Sequence, residues 1–177
     1  MKKFIINIIL VIAFIIIYLL QVNIFSYFKI AGVMPNLLII FILFIGLFAS
    51  KGLGVTYGII VGIFMDLSIG KRIGISGIMM GIVGLLGGIL DKNFSKESKI
   101  TIIIMVILTT IIYEVGAYIF GYFMYSYDIK FFAFIKILLI ESLYNIILTI
   151  ILYPMIKSFG YKIEEEYKGN KILTRYF

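Results

Sequence analysis

The chain has no cysteine and no histidine, and only two prolines in 177 residues. Without cysteine there is no disulfide framework, thiol nucleophile, thiolate metal site or redox pair. Without histidine there is no imidazole general base, haem ligand or ordinary zinc site. Charge is scarce as well. Charged residues make up 14% of the chain, against about a quarter in a soluble domain. What fills the chain instead is apolar: 63% of residues are hydrophobic and the mean hydropathy is +1.16. That balance argues against a water-soluble fold, and the length of the apolar runs points to the multi-spanning membrane class.

Six apolar runs are legible, at about 4–25, 34–50, 53–69, 73–90, 100–124 and 132–156. Each approaches the roughly 20 residues that cross a ~30 Å hydrocarbon layer. The third and fourth are short and rich in glycine, so they read either as tightly packed spans or as partly re-entrant segments. The first follows Lys2-Lys3, but its apolar stretch is too long for a signal-peptide core and no small-x-small cleavage site follows, so it reads as a retained helix. The expectation is an all-α polytopic bundle forming a single integral membrane domain over 1–177. The longest internal loop, about Asp91–Lys99, and the basic tail at 157–177 are too small to form a soluble core. The tail reads as solvated, with Glu164-Glu165-Glu166 interrupting its basic residues.

The lysines and arginines orient the spans. With the N-terminus inside, the inner segments hold Lys2, Lys3, Lys51, Lys92, Lys96, Lys99, Lys157, Lys162, Lys168, Lys171 and Arg175, and the outer ones Lys29, Lys71, Arg72, Lys130 and Lys136. Eleven against five predicts that both termini are cytoplasmic, although Lys71-Arg72 goes against the trend.

Gly54, Gly58 and Gly62 recur every four residues in the third run, and Gly70, Gly74, Gly77, Gly81, Gly84 and Gly88 continue at steps of three and four. Such spacing keeps glycine on one helix face and permits close backbone approach between membrane helices. It does not say whether the neighbour is a span of the same chain or another protein. No phosphate-binding glycine motif accompanies it, and nothing suggests nucleic-acid binding.

Three carboxylates fall inside spans: Asp66, Glu114 and Glu141. Each needs a partner, a proton or a water-filled cavity, because a mid-bilayer charge costs several kcal/mol. Asp66 lies near the outer end of the third run, where either Lys71 and Arg72 neutralise it or it fixes the corner from Asp66 to Gly74. Glu114 and Glu141 fall within about a turn of the same depth, so adjacent antiparallel helices would bring them close. Asn145 shares the face of Glu141, and Tyr144 adds a hydroxyl. This set reads as interhelical hydrogen bonding, an acid dyad, an ion or substrate site, or a polar recognition surface. Pro35 opens the second run harmlessly, and Pro154 is expected to kink or end the sixth.

Three stretches together resemble the rod shape-determining protein MreD family. They are Met34-Pro35-Asn36-Leu37-Leu38, then Gly62-Ile63-Phe64-Met65-Asp66 leading to Gly70 and Ile73-Gly74, and Glu141-Ser142-Leu143-Tyr144-Asn145 with Tyr153-Pro154 behind it. Chain length and the six-run layout agree. The resemblance implies a multi-pass protein of the bacterial cytoplasmic membrane that works in the rod-elongation machinery. It would pair with the bitopic protein MreC and connect MreB filaments to peptidoglycan synthesis by a RodA-type glycosyltransferase and a class B penicillin-binding protein. It implies no enzymatic activity and no cofactor. Asp66, Gly70, Glu141 and Asn145 would then be fold or partner-surface positions.

The layout is also similar to that of the substrate-binding S subunits of energy-coupling-factor transporters, which supplies an alternative. Against it stand short outer loops and a first run with a single alanine, Ala13, where a docking motif of small residues is expected. An intramembrane enzyme using Glu114 and Glu141 is a third reading. It lacks a histidine for a rhomboid-like mechanism and a second intramembrane aspartate for a signal-peptidase-like one.

Overall fold

The computed structural model describes residues 2–69, 74–125 and 130–169. Six α-helices account for most of them: α1 (Lys2–Leu19), α2 (Leu37–Phe48), α3 (Lys51–Ile69), α4 (Ile75–Asn93), α5 (Lys99–Tyr125) and α6 (Phe131–Lys168). They run alternately up and down. One end of the bundle carries Lys2 and the C-terminus of α6; the other carries the α1–α2 connection. A π-helical turn, Leu20–Ile24, closes α1. Five helices are long and apolar enough to cross a membrane, so the protein is a multi-pass membrane bundle.

The second run departs from expectation. Only 12 of its residues are helical, about 18 Å at 1.5 Å per residue, too short to span the layer alone. The chain is non-helical up to Asn36, and Ser50 ends the α2–α3 turn by accepting the Leu53 N–H at 3.2 Å. α2 can be this short because it is the core. All its residues except Phe41 are buried, and α1, α3, α4, α5 and α6 all pack around it. A helix that is apolar all round, with no lipid-facing side, belongs in that place.

α3 and α4 are full helices of 19 residues each, not re-entrant segments. Glycine sets their separation. A Cβ at Gly58 would overlap the Met80 carbonyl, one at Gly62 the Ser76 carbonyl, and one at Gly84 the Gly54 backbone. Gly46 of α2 meets Gly84, Gly87 and Gly88 in the same way. The neighbour of the glycine stripe is therefore α4 of the same chain, at backbone-to-backbone distance.

The sixth run also departs from expectation. Its helix passes through Pro154 without ending and continues to Lys168. Its 38 residues measure about 57 Å, nearly twice the hydrocarbon thickness. The first part of the tail, read as solvated, is a helical extension held against the rest of the bundle.

Candidate functional site

Two polar regions lie at opposite ends of α2. At its C-terminal end the last carbonyls have no helical partner and carry the negative end of the helix dipole. Lys96 and Lys168 converge there, donating to the Leu47 carbonyl at 3.4 and 2.5 Å. Lys96 also donates to Asp91 Oδ1 at 2.6 Å and Glu164 Oε1 at 2.5 Å, and Lys168 to Asp91 Oδ2 at 2.7 Å. Two cations and two anions thus tie the α6 extension to α4, to the loop before α5 and to α2. Burial pulls the Asp91 carboxyl upward, but the hydrogen bonds from Lys168 and Lys96 outweigh it and hold it below the usual carboxylate range. Burial lowers the Lys168 ammonium, against the opposing pull of Asp91. Nearby, Asn7 Oδ1 accepts from Tyr57 at 3.2 Å and Tyr167 at 3.0 Å, fastening α1 to α3 and α6. Nothing in the sequence marks these residues as one cluster. Asp91 lies in the last turn of α4 and Lys96 in the loop after it, and only the overlong α6 brings Glu164 and Lys168 beneath them.

At the N-terminal end of α2 the structure assembles most of the polar residues read from the sequence. Asn145, fully buried, accepts the Asn36 backbone N–H on Oδ1 at 2.9 Å and donates from Nδ2 to Thr110 Oγ1 at 3.0 Å. It thereby joins α2, α5 and α6. Its own carbonyl accepts the Thr149 hydroxyl at 2.6 Å. One turn earlier, Glu141 is buried and lies within hydrogen-bonding reach of Glu114 and of the Asn36 side chain. A hydrogen bond between two carboxyl groups requires a proton on one of them. Asn36 Oδ1, Glu141 Oε1 and Ser142 Oγ are buried without a hydrogen-bond partner among the described residues. Tyr113, beside Glu114, donates to Ser76 Oγ at 3.4 Å and so connects this cluster to α4.

Asp66, 3% exposed, sits at the same end. Oδ2 accepts the Gly74 N–H at 2.8 Å, and both oxygens accept the Ser76 N–H, at 3.1 and 3.3 Å. The carboxylate caps α4 from the preceding helix, where backbone donors and the positive dipole end favour an anion. Gly74 has φ +106°, which suits glycine and turns the chain into α4. Gly70, Lys71 and Arg72 lie outside the described residues, so this corner is defined by Asp66, Gly74 and Ser76.

Two of the three stretches quoted for the family resemblance meet in space, and the third lies at the same end of the bundle. Asn36 of the first stretch binds Asn145 of the last, and Asp66 organises the start of α4. Residues 2–163 match the family of rod shape-determining protein MreD. The chain belongs to that family. No curated protein and no solved structure matches it. Membership gives the protein a role in rod shape determination, as a multi-pass membrane protein. Tyr144 and Pro154 stand apart from this polar cluster. The Tyr144 hydroxyl donates to the Phe28 carbonyl in the α1–α2 connection. Pro154 lies toward the other end, next to Tyr153, whose hydroxyl reaches the Glu97 carbonyl at 2.8 Å. Thr110 and Thr149 were missed in the sequence, where a mid-span threonine bonding its own helix looks the same as one bonding a neighbour.

Proposed function

We propose that the chain is a non-enzymatic membrane scaffold of the bacterial cell-elongation machinery, working with an MreC-like bitopic protein in lateral peptidoglycan synthesis. The observation that carries this reading is the family match over residues 2–163. RodA-type glycosyltransferase, class B penicillin-binding protein and MreB filaments are the further partners it implies, with both termini cytoplasmic.

A groove between α3 and α4 supports the reading by offering a place for a partner's single membrane helix. It has a volume of about 500 Å³ and is lined by Val55, Ile59 and Ile63 on one side and Gly77, Ile78, Gly81, Ile82 and Leu85 on the other. It opens away from the core, with Ile59 and Ile78 substantially exposed. Unlike Gly58 or Gly84, Gly77 and Gly81 face flexible isoleucine side chains across it, Ile63 and Ile59. The groove's exposed isoleucines give an apolar face against which a second helix can pack.

The test is co-purification of the full chain with the MreC-like protein of the same cell, for wild type and Gly81→Leu. The wild type should retain the partner, and depletion of the chain should round the cells. Gly81→Leu should fold and reach the membrane but lose most of the partner. Cells that stay rod-shaped after complete depletion, with no paralogue present, would sink the elongation role. Undiminished capture by Gly81→Leu would remove the groove from it.

A further inference from the structure

We infer that Lys99 and Lys157, on adjacent helices α5 and α6, form a binding site for the headgroup of an anionic phospholipid. The two helices pack against each other and run antiparallel, so the start of α5 meets the level at which the apolar run of α6 ends. Lys99 is the first residue of α5, directly before Ile100, and Lys157 directly follows Ile156. Both ammonium groups therefore sit at the boundary between hydrocarbon and water. They also converge on one ring. Lys99 Nζ lies 5.6 Å from the centre of the Tyr153 ring and Lys157 Nζ 5.8 Å from it, so the two charges are no farther apart than the sum of those distances. The ring is a fixed platform, because Tyr153 is buried and its hydroxyl donates to the Glu97 carbonyl at 2.8 Å. Lys157 also lies 5.9 Å from the centre of the Tyr161 ring. Such ring contacts hold an ammonium group in place without giving its N–H donors an oxygen acceptor.

Charge separates this pair from other lysines at the same end. Lys96 and Lys168 are neutralised by Asp91 and Glu164, and Lys2 by Glu166. Among the described residues no carboxylate lies within ion-pairing distance of Lys99 or Lys157. The acids whose charge is felt at neighbouring Tyr161 are Glu97 and Glu164. Glu164 is committed to Lys96, and Glu97 pairs with neither lysine. Lys99 also stands at the positive end of the α5 dipole, where a cation is disfavoured unless an anion joins it, and the first turn of α5 holds no acidic residue. Lys99 is exposed and Lys157 half-buried, so both are within a ligand's reach. The surface beneath selects a lipid over a soluble anion. Ile100 and Ile104 on α5 and Ile151 and Met155 on α6 are all more than half exposed, so acyl chains lie against them while the phosphate stays level with the lysines. Basic residues placed between membrane helices at this level hold anionic headgroups. The site is independent of which end of the molecule faces the cytoplasm.

The experiment is native mass spectrometry of the full chain in a neutral detergent, with dioleoylphosphatidylglycerol and dioleoylphosphatidylcholine supplied in equal amounts. The wild type should retain phosphatidylglycerol in preference to phosphatidylcholine. Lys99→Gln and Lys157→Gln should each weaken that retention about fivefold, the worth of one lysine beside an anionic lipid. A variant carrying both Lys92→Gln and Lys162→Gln, exposed positions at the same end, should retain the lipid as the wild type does. An excess of inorganic phosphate should not displace it. Equal retention of the two lipids overturns the proposal. So does an equal loss in the Lys92→Gln, Lys162→Gln variant, which would reduce the effect to net charge. Displacement by inorganic phosphate overturns it as well, because the lysines would then take a free anion. A second readout needs no variant. Acetylation of the wild type in nanodiscs of each lipid should show Lys99 and Lys157 shielded by phosphatidylglycerol, with Lys92 and Lys162 modified equally in both. Shielding that is the same at all four lysines would leave no site.

Discussion

At the residue scale, the glycines of α3 and α4 divide into those the fold cannot alter and those it can. A methyl group at Gly84 would run into the carbonyl and Cα of Gly54, and backbone cannot swing aside as a side chain does. Gly84→Ala should therefore destabilise the protein by about 1–3 kcal/mol or more, the usual cost of overpacking a close contact. Gly52→Ala, at the start of α3 with nothing within 4 Å, should be neutral or slightly stabilising. Parallel thermal scans in detergent check the pair, and equal midpoints would refute the packing argument. Asn145 poses the complementary case. Asn145→Leu keeps the volume but strands the buried Asn36 N–H and the Thr110 hydroxyl. A loss of about 1–3 kcal/mol is expected for an unsatisfied buried donor, with faster hydrogen exchange at Asn36. The glycine spacing announced close packing in the sequence. The identity of the neighbour did not show there, because period-four glycine looks the same whether it faces α4 or another protein.

At the scale of elements, two helices carry most of what the sequence did not reveal. Hydropathy marks where apolar residues stop, not where a helix stops. α6 therefore runs well past its apolar limit through Lys157, Lys162 and the Glu164-Glu165-Glu166 run, its polar residues supplied with partners by Lys96, Asp91 and Lys2. Conversely, α2 is shorter than its apolar run because Met34, Pro35 and Asn36 enter it in non-helical form. The α6 extension has a definite pH response. Asp91 is held below the usual carboxylate range, so its contribution is fully present above the unfolded value near 4 and is lost as pH falls through the lower folded one. A nitroxide attached through Glu165→Cys should stay immobile from pH 7 to pH 5 and loosen only below about 4. In an Asp91→Asn background it should be mobile already at pH 7. A transition centred near pH 6, or no effect of Asp91→Asn, would show that other contacts hold the extension. The corner before α4 is a second element-level device: Asp66→Ala should cost about 1 kcal/mol, as for a lost helix cap, and show as faster exchange at Gly74 and Ser76.

At the scale of the whole molecule, the layout follows from composition, whereas the coming together of Asn36, Glu114, Glu141 and Asn145 rests on how α2, α5 and α6 pack. Depth arithmetic places Glu114 opposite Glu141 but does not supply Asn36, because hydropathy alone makes its run look like a complete span. Orientation is a property of the whole chain, and the lack of cysteine makes it directly measurable. Tyr27 is 87% exposed in the α1–α2 connection, and Glu165 is exposed on the α6 extension at the opposite end. With eleven basic residues assigned to one side and five to the other, the Glu165 end should face the cytoplasm. Tyr27→Cys and Glu165→Cys, made singly, place one thiol at each end with no background. A membrane-impermeant maleimide added to intact cells should label Tyr27→Cys alone, and Glu165→Cys should react only after the membrane is opened. The reverse pattern would invert the molecule. It would put the Lys96–Asp91–Lys168 cluster on the outer side and turn the Asn36–Asn145 cluster toward the cytoplasmic half of the bilayer.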